Sequence, residues 1–536
     1  MKVLFIYPPV TRPKDFSAKA VRVSVFFPMG IAYLLAVLER AGGHETAAFD
    51  ALSEGDIDEG RPMDGGERLR YGLSDEAIAR KIADFAPDVV GVACLFSAMQ
   101  WDAENVCRLV KRAAPAARTV LGGAHAGCMA EEILREEPAA DFVLLGEAEE
   151  SFPALLAALK SGGSFSKLDG IAYRADGGVR LAPKTRYISD IDAIPFPARH
   201  RFDMTRYFTS AKSHGFFRNA PFTQMITSRG CPYKCAFCAL DAHWGSRQRL
   251  RSAGNVLAEI ELLVERYGIR ELHFEDDNLT ADKKRALELF EGMTQRGFHL
   301  SWHVPSGMAV NTLDERLLEK MRESGCYSVT LAIESGDPEV VRKLMNKPVD
   351  FKRVPGLVKK IRALGMDVRG FFMIGYPGET RDTIRRTIEY AKELELDWSY
   401  FSITSPIPKT AMYRTCIEKG YIKEGDFDPI RSFHRSIIRT PEFTPELLRE
   451  IREEAIIDVC FRNNPNLLKY DLDRAIADFS SVVNHYPHFD FANFYLGEAY
   501  RKKGDIPRAV ESYQNTLKAN PAHAEARRRL QELHHD

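Results

Sequence analysis

Three cysteines stand close together in Cys231-Pro-Tyr-Lys-Cys235-Ala-Phe-Cys238. Their spacing is Cys-x-x-x-Cys-x-x-Cys, with an aromatic residue just before the last. Iron–sulfur clusters are held by cysteine thiolates, and a four-iron cluster takes four ligands. Three thiolates leave one iron open to a ligand from outside the protein. Zinc is the competing reading. It needs a fourth Cys or His at short range, and His243 is near enough in sequence. Context weighs against it. Gln224-Met-Ile-Thr-Ser-Arg-Gly230 reads as a short apolar strand running into a Gly-containing loop. A strand whose C-terminal loop carries ligands is what an α/β barrel offers to chemistry. A second constellation, Glu275-Asp276-Asp277, closes the strand-like run that begins at Glu271. Its carboxylates could take an amino group or hydroxyls, or could form a solvated rim.

These residues sit in a chain of 536, long enough for about three to four domains. A hydrophobic content of 45% is ample for real cores, and a net charge of −1 sets up no field that would draw nucleic acid or a membrane surface. Nine cysteines, an odd number in a long chain, argue against a disulfide framework and for a reducing, cytoplasmic setting. The first apolar run is too short for a signal peptide, and no run of eighteen apolar residues predicts a transmembrane helix.

Residues 1–160 alternate apolar runs with amphipathic segments. Strands are expected at Val3–Tyr7, Glu45–Asp50, Val89–Cys94, Arg118–Gly122 and Phe142–Leu145, with helices at Ile31–Arg40 and Asp102–Ala113. This alternation predicts a doubly wound parallel sheet, which binds ligands at the carboxyl ends of its strands. The phrases Leu121-Gly-Gly-Ala-His-Ala126, Leu145-Gly-Glu-Ala-Glu-Glu-Ser151 and Gly43-His-Glu-Thr-Ala-Ala-Phe-Asp50 resemble the Rossmann-like cobalamin-binding domain that precedes many radical S-adenosylmethionine (SAM) barrels. The resemblance implies cofactor contacts at Gly122, Gly123, His125, Gly146 and Glu147. By themselves the two glycines would be an ordinary turn and His125 a surface residue. The Asp-x-His-x-x-Gly phrase that ligates cobalt elsewhere is missing, so cobalamin is expected without a His ligand, and a vestigial, empty domain is the alternative. Residues 161–200 read as a polar connector with a hairpin turning at Asp176-Gly-Gly178.

From 201 to 430 the alternation resumes. A helix at Asn255–Val264 precedes the strand Glu271–Glu275, and further strands follow at Ser328–Ile333, Arg369–Gly375 and Tyr400–Thr404. The cysteine spacing, Arg249-Leu-Arg-Ser252, Phe274-Glu-Asp-Asp-Asn278, Ile333-Glu-Ser-Gly336, Met345-Asn-Lys347 and Gly375-Tyr-Pro-Gly-Glu-Thr380 resemble the radical SAM family and its partial (βα)6 barrel. The resemblance implies that Cys231, Cys235 and Cys238 ligate a four-iron four-sulfur cluster whose open iron chelates SAM. It implies Phe237 along the adenine, and Glu275, Asp276, Asp277 or Glu334 on the SAM amino group or ribose. It implies a close backbone approach to the nucleoside at Gly375 and Gly378. One phrase departs from the family: Ser306-Gly-Met-Ala309 lacks an expected arginine. Cys94 and Cys326 read as core, and the other four cysteines have no ligand spacing.

A helical linker at 431–465 leads to a tail, 466–536, that repeats. Arg474-Ala-Ile-Ala-Asp-Phe479 parallels Arg508-Ala-Val-Glu-Ser-Tyr513 at an offset of 34, the tetratricopeptide period. The tail reads equally as a helical cap or as a groove for a protein partner. The whole pattern resembles cobalamin-dependent radical SAM enzymes. It implies methyl transfer to a small molecule, with an electron donor such as flavodoxin or ferredoxin. Ring formation by the same cofactors, and a non-catalytic scaffold working through its tail, are the alternatives.

Overall fold

The most apolar runs of the N-terminal third pair as parallel strands at the centre of a sheet, where both faces are buried. The structure, a computed structural model, describes residues 1–14, 23–175, 177–208, 217–423, 425–427 and 436–535. The expected turn residue Asp176, the expected boundary near 430 and the last residue of the tail lie outside the described residues. The chain divides into two units, the first of residues 1–14, 23–301 and 405–437, the second including 302–404 and 438–536.

In chain order the strands are β1 (Lys2–Tyr7), β2 (Val10–Pro13), β3 (Glu45–Asp50), β4 (Asp56–Met63), β5 (Arg68–Gly72), β6 (Val89–Ala93), β7 (Arg118–Gly122), β8 (Phe142–Leu144), β9 (Ile171–Ala175), β10 (Gly178–Ala182), β11 (Phe222–Met225), β12 (Ser228–Arg229), β13 (Arg249–Leu250), β14 (Glu271–Phe274), β15 (Ser301–His303), β16 (Cys326–Glu334), β17 (Asp367–Ile374) and β18 (Trp398–Ile403).

The first unit holds a seven-stranded sheet in the order β10-β9-β8-β7-β6-β1-β3. Strands β3, β1, β6, β7 and β8 run parallel, and the order turns back between β1 and β6. That reversal is the switch point at which doubly wound sheets open a crevice. Helices Met29–Ala41, Asp75–Phe85, Gln100–Ala113 and Ser151–Ser161 connect the strands. Gly42 ends the first of them with φ at 68° and its N–H donating to Leu38 O. The expected hairpin forms, but it is not a free connector: β9 pairs antiparallel with β8 and extends the sheet. A three-stranded antiparallel sheet, β2-β5-β4, was not foreseen. Its strand β4 reads Asp-Ile-Asp-Glu-Gly-Arg-Pro-Met and carries no apolar alternation.

The first unit also holds the parallel pair β11–β14 and the short antiparallel ribbon β12–β13 that flanks the cysteine loop. Helix Ala253–Tyr267 follows, capped where Asn255 N–H donates to Ser252 Oγ at 3.1 Å and ended by Gly268 at φ 63°. In the second unit β15, β16, β17 and β18 run parallel, with helices Glu315–Glu323, Val354–Ala363 and Arg381–Glu393 between them. Counted along the chain, β11 and β14 to β18 alternate with helices in the order of the expected (βα)6 barrel. Among the described residues no helix is long and apolar enough to cross a membrane.

The tail is two helix pairs, Leu472–His485 with Asp490–Lys503 and Ile506–Ala519 with Ala524–His535. The repeat shows in the packing: Ala475 and Phe479 are fully buried, and so are Ala509 and Tyr513, 34 residues on. Gly497 makes room for the second pair, since a Cβ there would lie 2.6 Å from the Tyr513 ring. The tail packs within the second unit. Phe461 stacks on Phe479 with centroids 5.0 Å apart, Arg369 on β17 donates to Asp478 at 2.7 Å, and Asn466 donates to Asp397 at 2.9 Å. Removing one partner of a buried ion pair strands the other charge. We predict that Asp478→Ala loosens the tail by about 3 kcal/mol, the low end of that range because Asp367 stays 4.0 Å from Arg369. Hydrogen exchange across 466–519 should report the loss, and Arg369→Met with Asp478→Leu should recover most of it.

Candidate active site

The cysteine loop leaves β12 through Gly230, whose φ of 81° turns the chain sharply before Cys231. The strand end that precedes it is pinned by the next strand. Asp276, fully buried, accepts Thr227 N–H at 3.1 Å and the hydroxyls of Thr227 and Ser228 at 2.7 and 2.5 Å. Arg285 donates to Thr227 O at 2.9 Å. Asp277 accepts Gly230 N–H at 3.1 Å, and Asn278 points its amide N–H at Cys231 Sγ, 3.7 Å away. The far side is held by the 405–423 segment, where Met412 N–H donates to Ala236 O at 2.9 Å.

All three loop thiols are half-buried, and so is Phe237. Burial pushes the Cys238 thiol up to about 12, with Cys235, Asp277 and Cys231 adding to the shift. Three half-buried thiols on one loop, one receiving an amide N–H, are the donor type that a four-iron cluster takes. The sequence placed Glu275, Asp276 and Asp277 together as cofactor contacts, and the structure separates their roles. Asp276 is spent on the strand before the loop. Glu275 accepts from Gln224 Nε2 at 3.2 Å, and burial raises its carboxyl to about 7. Asp277 is raised to about 7 by burial and by the neighbouring Asp276.

The carboxyl ends of β6, β7 and β8 form the second half of the site. After β6 the chain exposes Leu95 and Phe96, each 42% accessible, large apolar side chains with no core to enter. Gly123 adopts φ 122°, and a Cβ there would come within 2.6 Å of Cys94 O, so the β7 end must be glycine to lie against the β6 end. At Gly122 a Cβ would meet nothing within 4 Å, which leaves open space at the β7 end. An apolar, open strand end is a surface on which a flat macrocycle can lie.

His125 is in that turn but has no nitrogen to offer. Gln100 donates through Nε2 to Glu104 at 2.8 Å, which leaves Gln100 Oε1 facing His125 Nε2 at 2.7 Å. The imidazole Nε2–H therefore donates to Gln100, and Ser97 Oγ–H donates to Nδ1 at 3.0 Å. Burial pushes the ring down to about 4, so it is neutral. His125 acts as a strut for the 97–100 turn.

Gly146 and Glu147 were read as cofactor contacts, and the structure turns them toward the cysteine loop instead. A Cβ on Gly146 would lie 2.9 Å from His243 O. Glu147, buried, accepts from Arg229 at 2.8 Å, from Arg249 at 2.6 and 2.8 Å, and from Ile188 N–H. Arg229 also pairs with Glu149. None of the two arginines or Glu149 was singled out from sequence, although Arg249 opens one of the family-like phrases. His243, the alternative zinc ligand, packs its ring edge against Trp244 with centroids 4.2 Å apart.

The remaining predicted residues lie in the second unit. Glu334 sits at a register shift at the end of β16 with φ 72°, an unusual conformation for a non-glycine residue, and pairs with Lys347 Nζ at 2.5 Å. Gly375 and Gly378 have φ of 80° and 100°. A Cβ at Gly375 would meet the Leu448 methyl at 2.4 Å, and its φ of 80° favours glycine there. Glu379, in the same turn, was not singled out. It is buried, accepts Tyr376 N–H at 2.7 Å, and burial raises it to about 8.

Residues 225–391 match the radical SAM superfamily, and residues 18–156 match the B12 binding domain. The chain is 36% identical over 438 residues to the cytidylyl-2-hydroxyethylphosphonate methyltransferase of Streptomyces wedmorensis, covering 76% of this chain and 80% of that protein. It is 25% identical over 457 residues to an anaerobic magnesium-protoporphyrin IX monomethyl ester cyclase of Rubrivivax gelatinosus, covering 84% and 74%. The fold is that of TsrM from Kitasatospora setae, a radical SAM methyltransferase solved with cobalamin and a four-iron four-sulfur cluster bound. The TM-score is 0.63 over 98% of this chain and 99% of that one, at 16% identity. By these likenesses the chain belongs to the radical SAM methyltransferases that carry a B12-binding domain.

Proposed function

We propose that this enzyme transfers a methyl group to an unactivated carbon of a small molecule, using cobalamin, SAM and a four-iron four-sulfur cluster. One observation carries the reading: a single unit contains both the cysteine loop and an open, apolar strand end suited to a corrin. When bound, the cluster with SAM supplies a 5′-deoxyadenosyl radical and cobalamin supplies a transferable methyl group. The protein's own part is to hold, orient and shield. Cys231, Cys235 and Cys238 hold the cluster, and the Asn278 amide donates to the Cys231 sulfur. Asp277 keeps Gly230 in its tight turn. Phe237 lies along the adenine. Glu275 takes the SAM amino group, a cation that would return its raised carboxyl to the ionised form. Leu95, Phe96, Gly122 and Gly123 support the corrin face.

Methyl transfer is favoured over ring closure by the 36% identity to a methyltransferase against 25% to a cyclase. The substrate of the Streptomyces protein, a cytidylylated hydroxyethylphosphonate, is the first compound to try. A flavodoxin or ferredoxin would supply electrons in a reducing cytoplasm. The tail serves as a helical cap, since its inner residues are taken by Phe461 and β17.

Single Ala variants of Cys231, Cys235 and Cys238 should each lose the broad visible iron–sulfur absorbance and SAM cleavage together after anaerobic reconstitution. A triple Ala variant that still cleaves SAM under strong reductant would overturn the cluster assignment. Purification with hydroxocobalamin should retain about one corrin per chain. The Co(II) resonance should show no superhyperfine splitting that changes when the protein is labelled with 15N-histidine, because both His125 nitrogens are engaged; a label-dependent splitting would refute this. With substrate and methyl-labelled SAM, S-adenosylhomocysteine and 5′-deoxyadenosine should accumulate together and label should enter the product. Turnover that yields deoxyadenosine but no labelled product would replace methylation by ring formation.

A further inference from the structure

The turn after β8 grips the cysteine loop on both sides of its three thiols. Before the loop, Arg229 stands two residues ahead of Cys231 and donates through separate nitrogens to Glu147, at 2.8 Å, and to Glu149. After the loop, His243 stands five residues beyond Cys238, and its carbonyl comes so near Gly146 that a Cβ there would lie 2.9 Å away. The closing ribbon strand joins in. Arg249 donates to both Glu147 oxygens at 2.6 and 2.8 Å, and to the carbonyls of Ile188 at 2.8 Å and Trp244 at 3.1 Å. Glu147, Glu149, Arg229 and Arg249 are all nearly inaccessible, and two carboxylates balance two guanidiniums. Arg229 is further covered by Trp244 and Tyr33, 5.0 and 5.5 Å from the ring centroids. Each Glu147 oxygen already has two donors, so the carboxylate has no lone pair left for a ligand.

We propose that Glu147 and Arg229 are positioning residues that fix the distance between cluster and corrin. This rests on the reading that both cofactors bind the first unit. The sheet whose strand ends would carry the corrin and the loop that would carry the cluster are joined here by buried, directional charge pairs. A guanidinium bridging two carboxylates defines orientation as well as distance. Transfer between two cofactors depends on placement to a fraction of an ångström, and such placement comes from locked supporting residues.

The test is the distance between two electron spins, the reduced cluster and Co(II) cobalamin, measured by pulsed paramagnetic resonance on the full chain reconstituted with both. The wild type should give a single narrow distance. Glu147→Gln keeps the shape but removes the charge. Arg229→Lys keeps the charge but cannot reach two carboxylates at once. Both should lose the narrow distance while iron and corrin content match the wild type. Should Glu147→Gln fail to fold, Glu149→Gln removes only one arm of the bridge and should broaden the distance less. Asp102→Asn, which disturbs a buried carboxylate paired with Thr11 and Arg70 rather than with the loop, should leave it narrow. An unchanged distance in both Glu147→Gln and Arg229→Lys, or equal broadening in Asp102→Asn, overturns the proposal. A wild type that loads cluster and corrin poorly overturns the underlying reading instead, and the proposal with it.

Discussion

The pairing of Glu147 with Arg229 and Arg249 is the constraint on which the first unit turns. Burying four charges is expensive, and it is tolerated only where geometry and hydrogen bonds satisfy each of them. Here the carboxylate oxygens and the terminal guanidinium nitrogens are satisfied by one another, by the Ile188 N–H and by the carbonyls of Ile188 and Trp244, while Arg249 Nε is left without a partner. The arrangement leaves little freedom in how the cysteine loop lies on the sheet. The same turn has a glycine where any side chain would push the loop away. Stability and placement therefore come from the same few residues.

Around this joint, carboxylates divide into two kinds. Asp276 and Glu259 are consumed by structure. Asp276 holds the strand before the cysteines, and Glu259 joins Arg199 at 2.5 Å and Arg251 at 2.6 Å. Glu275 and Asp277 are half-buried, and burial raises both carboxyls to about 7. A group held near neutrality in a buried place responds strongly to an arriving cation, because the cation removes the penalty that burial imposed.

The tail follows a different logic. Its 34-residue repeat is a packing period, and the same positions fill the same layer in each helix pair. Two pairs bury too little to stand alone, so the first leans on Phe461 and on the strand that carries Arg369. A cofactor enzyme gains from such a cap a covered barrel edge.

Local pattern determined a good deal by itself. Short apolar runs between helical segments marked β1, β6, β7 and β8, because a strand buried on both faces is apolar through its centre. The cysteine spacing and the strand before it marked the cluster loop. The 34-residue period marked the tail. The polar strand β4 and the extension of the sheet by β9 and β10 were not legible, since strands made by pairing with a neighbour need carry no pattern of their own. The site residues show the same division. Asp276, Glu147 and His125 look like ligands in sequence, because their types can bind cofactors and their positions fall at strand ends. Only the tertiary structure decides that their oxygens and nitrogens are already committed to Thr227, Arg229 and Gln100. A residue type states what a side chain can bind, and which partner it meets depends on chain segments that sequence separation does not reveal.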